Sequence, residues 1–259
     1  MGPHTTVVTF ADFLDRVPGS QRELVVVNRN APAPLVTMLE SVFSDQPVGV
    51  TEEEIAAYDD DTVLLFEEGE VVAESPLSAL NDSILMVNSD LYTTGTVGLD
   101  GLTVPDVVEG LRDTVFTLRG YAESSTGKLL LILISRHIER LACEHGGRLR
   151  ASFQRLSRID DEVGTRAVYE RTARTEADVH VYGIPDWTPS PELKLTMHGS
   201  YDADLRRTWF VLFDPPDGGA PAPPTALLAI ETESRVWDAF WTEEAALVGD
   251  LCRYVERTY

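Results

Sequence analysis

Arginine, histidine, tyrosine and aspartate near the ends of strands and helices bind anions or move protons, and residues 136–186 are dense in them. Nine arginines (Arg136, Arg140, Arg148, Arg150, Arg155, Arg158, Arg166, Arg171, Arg174) stand between residues 136 and 174 against six acids, a window near +3 in a chain otherwise near −25. Arginine forks grip carboxylate and phosphate bidentately, so the window suits an anionic ligand or an acidic partner surface. The competing use is an internal network with Glu139, Glu144, Asp160, Asp161 and Glu162. Residues 153–162 read as a strand ending at a helix N-terminus, where free backbone N–H groups and the helix dipole favour an anion. Arg155 and Arg158 flank that junction, Tyr182 and Asp186 close the following strand, and His137 sits on the flank of a buried helix within reach of the same region. These five residues are the expected ligand- or partner-binding set, with Asp160 as the helix cap.

Other constellations carry less. Ser125-Thr126-Gly127-Lys128 precedes a helix, as a phosphate loop does, but six residues separate Gly120 from Gly127 where four are needed, and Leu129 replaces the magnesium-binding hydroxyl. The glycines at 95, 98 and 101 follow no convincing parallel strand, so they read as an ordinary loop. His137, Cys143 and His145 share one helix without a second ligand pair at zinc spacing. His180 and His198 fall on strands with no nearby partner in sequence. No nucleophile elbow, His-Glu-x-x-His helix or kinase signature occurs. No metal and no cofactor is therefore expected.

These residues need elements to position them. Phe10, Phe13, Leu14 and Val17 predict a short opening helix ending at Pro18-Gly19. A strand at 24–27, a helix at 35–43, a short strand at 48–50, an acidic connector at 52–61, and a hairpin at 62–66 and 71–73 follow. Pro105 starts a helix over about 104–112. Thr126 caps a helix to His145, apolar on every face over its first turns and closed by Gly146-Gly147. A strand at 148–159, a helix at 161–174, strands at 179–184, 193–198, 208–213 and 226–231, and a final helix at 243–257 capped by Thr242 complete the reading. The order implies an α/β (α+β) fold: a mixed, largely antiparallel sheet flanked by helices, with a smaller α/β segment over 1–100 and the main domain over 101–259.

The chain has 259 residues, a net charge of −22, and lysine only at positions 128 and 194. Binding nucleic acid by bulk charge is excluded, because displacing counterions needs a cationic footprint. An acid-rich, lysine-poor surface suits a high-salt cytoplasm, where screening tolerates self-repulsion. An apolar fraction of 43% argues against disorder. Cys143 and Cys252 are expected to be reduced, buried and cytoplasmic. The N-terminus shows no signal-peptide pattern, Gly2 with Thr6 matches the myristoylation pattern only formally, and the longest apolar run, Leu129–Ile134, is far too short for a membrane span.

Leu118-Arg119-Gly120-Tyr121, the helix from Lys128 to Cys143, the stretch Phe153 to Glu162, and Val179 to Asp186 together resemble the DICT sensory domain family. The likeness covers about 105–255, including Trp237-Asp238-Ala239-Phe240-Trp241-Thr242. In that family such modules accompany signalling outputs, have been linked by inference to light responses, and often stand alone in salt-loving archaea. The resemblance implies a sensory or regulatory, non-enzymatic role and brings no catalytic residues. This chain shows no cyclase, kinase or DNA-reading helix pair. The expectation is a sensor that binds a small anionic ligand or a partner and passes its signal to a separate output protein. The alternative is an undescribed enzyme acting on an anionic molecule, with His137, His180 or His198 as acid or base.

Overall fold

The computed structural model describes residues 9–18, 22–43, 46, 48–89, 103–119, 127–161, 163–190, 192–218 and 222–259. The glycine loop at 95–101, the Thr126 cap and the residues around Gly2 lie outside them. In chain order the elements are α1 (Ala11–Leu14), β1 (Arg22–Val27), α2 (Ala33–Phe43), β2 (Val48–Glu53), β3 (Thr62–Glu67), β4 (Glu70–Pro76), α3 (Leu77–Ser89) and α4 (Asp106–Glu109). There follow β5 (Phe116–Arg119), α5 (Gly127–His145), β6 (Gly147–Arg155), α6 (Arg158–Asp161), α7 (Val163–Thr172), β7 (Ala177–Ile184) and β8 (Thr196–Gly199). The last are α8 (Ala203–Arg206), β9 (Thr208–Asp214), β10 (Thr225–Glu233), β11 (Val236–Thr242) and α9 (Ala245–Thr258).

The first sheet has the order β2-β1-β3-β4, parallel between β1 and β2 and antiparallel elsewhere. Leu24–Val27 is apolar at every position because both faces are covered: Leu24 and Val26 join the main core, Val25 and Val27 a smaller cluster with Leu64. The second sheet has the order β5-β11-β10-β9-β6-β7-β8. Its pairs are antiparallel from β5 to β6, then parallel from β6 to β7 and β8. The fold is thus a mixed, largely antiparallel α/β arrangement, as the residue pattern implies.

Strand alternation splits the second sheet into two apolar faces. Leu149, Ala151, Val179, Val181, Val211, Phe213, Trp237 and Trp241 face α5, whose turns from Leu129 to Ile134 are buried all round between this sheet, α2 and α3. Tyr182, Phe210, Leu212, Leu228 and Phe240 face α9, whose Leu247, Val248, Leu251 and Val255 form the opposing stripe. Phe10, Phe13 and Val17, from α1 and its flanks, complete that second core.

Several local expectations need correction. Leu77, Leu80, Ile84 and Val87 recur at helical spacing and are buried in α3, a helix the sequence reading passed over. Residues 236–242, to which the sequence reading assigns no element, form a full strand, with Trp237, Ala239 and Trp241 on one face and Phe240 on the other. β6 stops at Arg155, and Asp160 is not an N-cap: it lies inside α6, and its carboxylate accepts from Arg166. Thr242 Oγ1 accepts from the Glu244 amide at 3.0 Å just ahead of α9, while Glu244 occupies the cap position. Cys252 is buried as expected, but Cys143 is only half-buried. α5 does end at Gly146-Gly147, with φ of 72° and 80°, values that favour glycine.

Candidate functional site

α5 presents Lys128, Ile132, Ser135, Arg136 and Glu139 along one stripe, at the spacing of a single helix face. This stripe forms one wall of a pocket. The floor is the end of β6 (Ala151–Gln154) with Trp209 and Val211 of β9, and the far wall is Arg158, Thr165 and Tyr169 from α6 and α7. Its non-atom space, mouth included, is about 610 Å³. It opens at the carboxyl end of β6, where parallel pairing with β7 meets antiparallel pairing with β9.

The interior is polar and tightly held. Arg136 donates to Glu139 Oε2 at 2.6 Å and to Thr165 Oγ1 at 3.0 Å, joining two turns of α5 to α7. A buried pair like this persists because each charge neutralises the other. Tyr169 is fully buried; burial, and then the neighbouring Glu139 charge, push its hydroxyl above the ordinary tyrosine range, so it stays protonated. No well-formed hydrogen bond reaches that hydroxyl or the buried Ser135 Oγ from the described residues. Among the described residues, three cations (Lys128, Arg136, Arg158) against one carboxylate (Glu139) line the pocket, in a protein of net charge −22. Among the described residues no histidine or cysteine lines it, and no three His, Cys, Asp or Glu side chains gather as metal ligands. The arrangement can bind and orient an anion.

The basic window resolves into pairs. Arg140 meets Glu144, Arg148 meets Asp178 and Glu256, Arg150 meets Glu256 and Asp214, and Arg166 and Arg174 both meet Glu170. Arg158 has no ion pair among the described residues.

Of the five residues expected to share a site, the structure places Arg158 in this pocket. Arg155 and Asp186 pair with each other at 3.5 Å just outside it, and Asp186 also accepts from the Ser157 amide and hydroxyl at 3.0 Å each. Those bonds, the Ser157 amide first, hold the Asp186 carboxyl below its usual range. His137 turns away from the pocket toward β11, edge-on to Trp241 with ring centres 6.1 Å apart. Burial, then the Arg140 and Arg112 charges, lower it to about 4. Tyr182 faces the opposite side of the sheet, stacked on His198 at 4.3 Å. There His180 Nδ1 lies 2.8 Å from His198 Nε2, and its other ring nitrogen 3.0 Å from Asp178. Burial, then the His180 charge, lower His198. None of the alternative acid–base histidines is among the residues that line the pocket.

Sequence reasoning missed Ser135, Arg136, Glu139, Thr165 and Tyr169 as one group. The signal was present in α5, where polar residues at 135, 136 and 139 follow directly on the apolar turns from Leu129 to Ile134 and are themselves buried. Only the crossover packing of α7 shows that Thr165 and Tyr169 meet them.

Comparison with known families matches residues 106–229 to a model described as DICT, the sensory domain in diguanylate cyclases and two-component systems. Comparison with curated proteins gives no match. Among solved structures, a polyphosphate kinase from Porphyromonas gingivalis is similar over 59% of this chain, at 16% identity and a TM-score of 0.38. This chain spans 24% of that kinase's chain, a likeness too slight to carry an argument.

Proposed function

On the premise that residues 106–229 carry a DICT sensory domain, we propose that this chain senses a small anionic molecule held in the α5–β6–α7–β9 pocket. One observation carries the reading. Arg158, an arginine of the basic window with no ion pair among the described residues, lines a polar cavity in a molecule whose surface otherwise repels anions. A ligand there touches α5 and α7 together, so its binding energy can shift both helices relative to the sheet. The chain acts as a non-enzymatic module, and a separate protein carries the output. The Arg155–Asp186 pair, next to Gln154 and Arg158 along the chain, is the contact proposed for that partner.

Native mass spectrometry of the purified full chain tests the proposal. The expected result is a retained small molecule of fixed mass that Arg158→Ala loses while keeping its thermal midpoint. Retention unchanged in that variant, or no retained molecule together with no midpoint shift from any small anion, overturns it.

A further inference from the structure

We infer that the molecule bound in this pocket is a planar aromatic acid: one flat ring with an anionic group on one side and a hydrogen-bonding group on the other. This rests on the pocket being the sensory site. The lining divides into three zones. Phe153 and Trp209, from adjacent strands, both contribute aromatic surface to the floor, and Tyr169 meets Phe153 edge-on at 5.4 Å and 73°. Ile132, Ala151 and Val211 supply the remaining apolar surface. Aromatic side chains favour a flat ring in offset or edge contact over an aliphatic body of equal size.

The two polar zones differ in charge. Lys128 and Arg158 offer cations to the acid group. In the interior, Arg136 and Glu139 already neutralise each other at 2.6 Å, so a second ionic group finds no net opposite charge there. What the interior does offer is Ser135 Oγ, without a hydrogen-bond partner among the described residues, and the protonated Tyr169 hydroxyl, which neighbours the Glu139 carboxylate. A buried hydroxyl without a partner is unfavourable, so Ser135 seeks a neutral donor or acceptor on the occupant, and the Tyr169 oxygen keeps lone pairs that can accept from the same group. A single-charged, flat, two-ended molecule satisfies all three zones.

The class is tested by titration calorimetry on the full chain with 4-hydroxybenzoate, 4-hydroxyphenyl phosphate, benzoate, 4-hydroxybenzamide and cyclohexanecarboxylate. The expected result is that 4-hydroxybenzoate or 4-hydroxyphenyl phosphate binds about tenfold or more tightly than both 4-hydroxybenzamide and cyclohexanecarboxylate. The better of the two identifies carboxylate or phosphate as the acid. Arg158→Ala should abolish the preference for acid over amide. Tyr169→Phe, which keeps the ring and its packing, should weaken the hydroxylated acid about tenfold and leave benzoate unchanged. Equal affinity for the cyclohexane acid or for the amide overturns the inference, as does equal weakening of benzoate by Tyr169→Phe. If no probe binds while native mass spectrometry still shows a molecule lost on Arg158→Ala, the aromatic class is wrong and the pocket reading stands. If neither is seen, both fall.

Discussion

His137 and Glu139 sit two residues apart on α5 and face different surroundings, and each gives a distinct test. The ring of His137 is packed against Trp241, with Arg140 at 3.5 Å and Arg112 lying over the same Trp241 ring. Its proton affinity is lowered from 6.5 to about 4, so the folded state binds fewer protons than the unfolded chain between those values. The neutral histidine therefore supports folding fully above pH 6.5, and that support is lost as pH falls toward 4. His137→Gln should flatten the fall in unfolding free energy across this window by on the order of 3 kcal/mol in denaturant titrations. Equal pH slopes for the two proteins would refute the assignment. Glu139 neutralises Arg136, so Glu139→Ala leaves a buried cation and should cost about 3–5 kcal/mol, measured the same way.

At the scale of elements, the approach of β7 to the end of β6 shapes the pocket floor. A Cβ placed on Gly183 would stand 2.2 Å from the Phe153 carbonyl oxygen, a backbone atom that cannot step aside cheaply. Gly183→Ala should therefore cost about 2–3 kcal/mol by displacing β6, with ligand retention falling as Phe153 moves. A variant of wild-type stability would contradict that tight approach. Much of this layer could be read from residues alone. The apolar run at 129–134, the Gly146-Gly147 stop and the short apolar runs of β7, β9 and β10 are all legible locally. α3 and β11 were equally periodic but went unread, one behind a hairpin and the other in front of a helix. The site was less legible. Arg158 stands beside a visible strand–helix junction, whereas Tyr182 and His137 point to other layers because strand parity and helix angle, not closeness in sequence, decide what faces what. Thr165 and Tyr169 join the pocket only through the packing of α7 on α5.

Across the whole molecule, 43 acidic against 21 basic side chains make self-repulsion a standing cost of the folded state. Screening shortens from about 10 Å at 0.1 M salt to about 3 Å at 1 M, so the thermal midpoint should rise by about 5 °C or more over that range. A flat midpoint would remove the high-salt reading. The same acidic field repels anions from most of the surface, which sets the cationic lining of the pocket apart. Hydrogen exchange on the full chain, compared before and after its retained small molecule is stripped by unfolding and refolding, tests that account most directly. Slower exchange at residues 132–139, 151–154 and 158–169 in the loaded protein, with the α9 face unchanged, is the predicted result. Protection confined to the α9 face around Tyr182 and His198, or no difference at all, would contradict it.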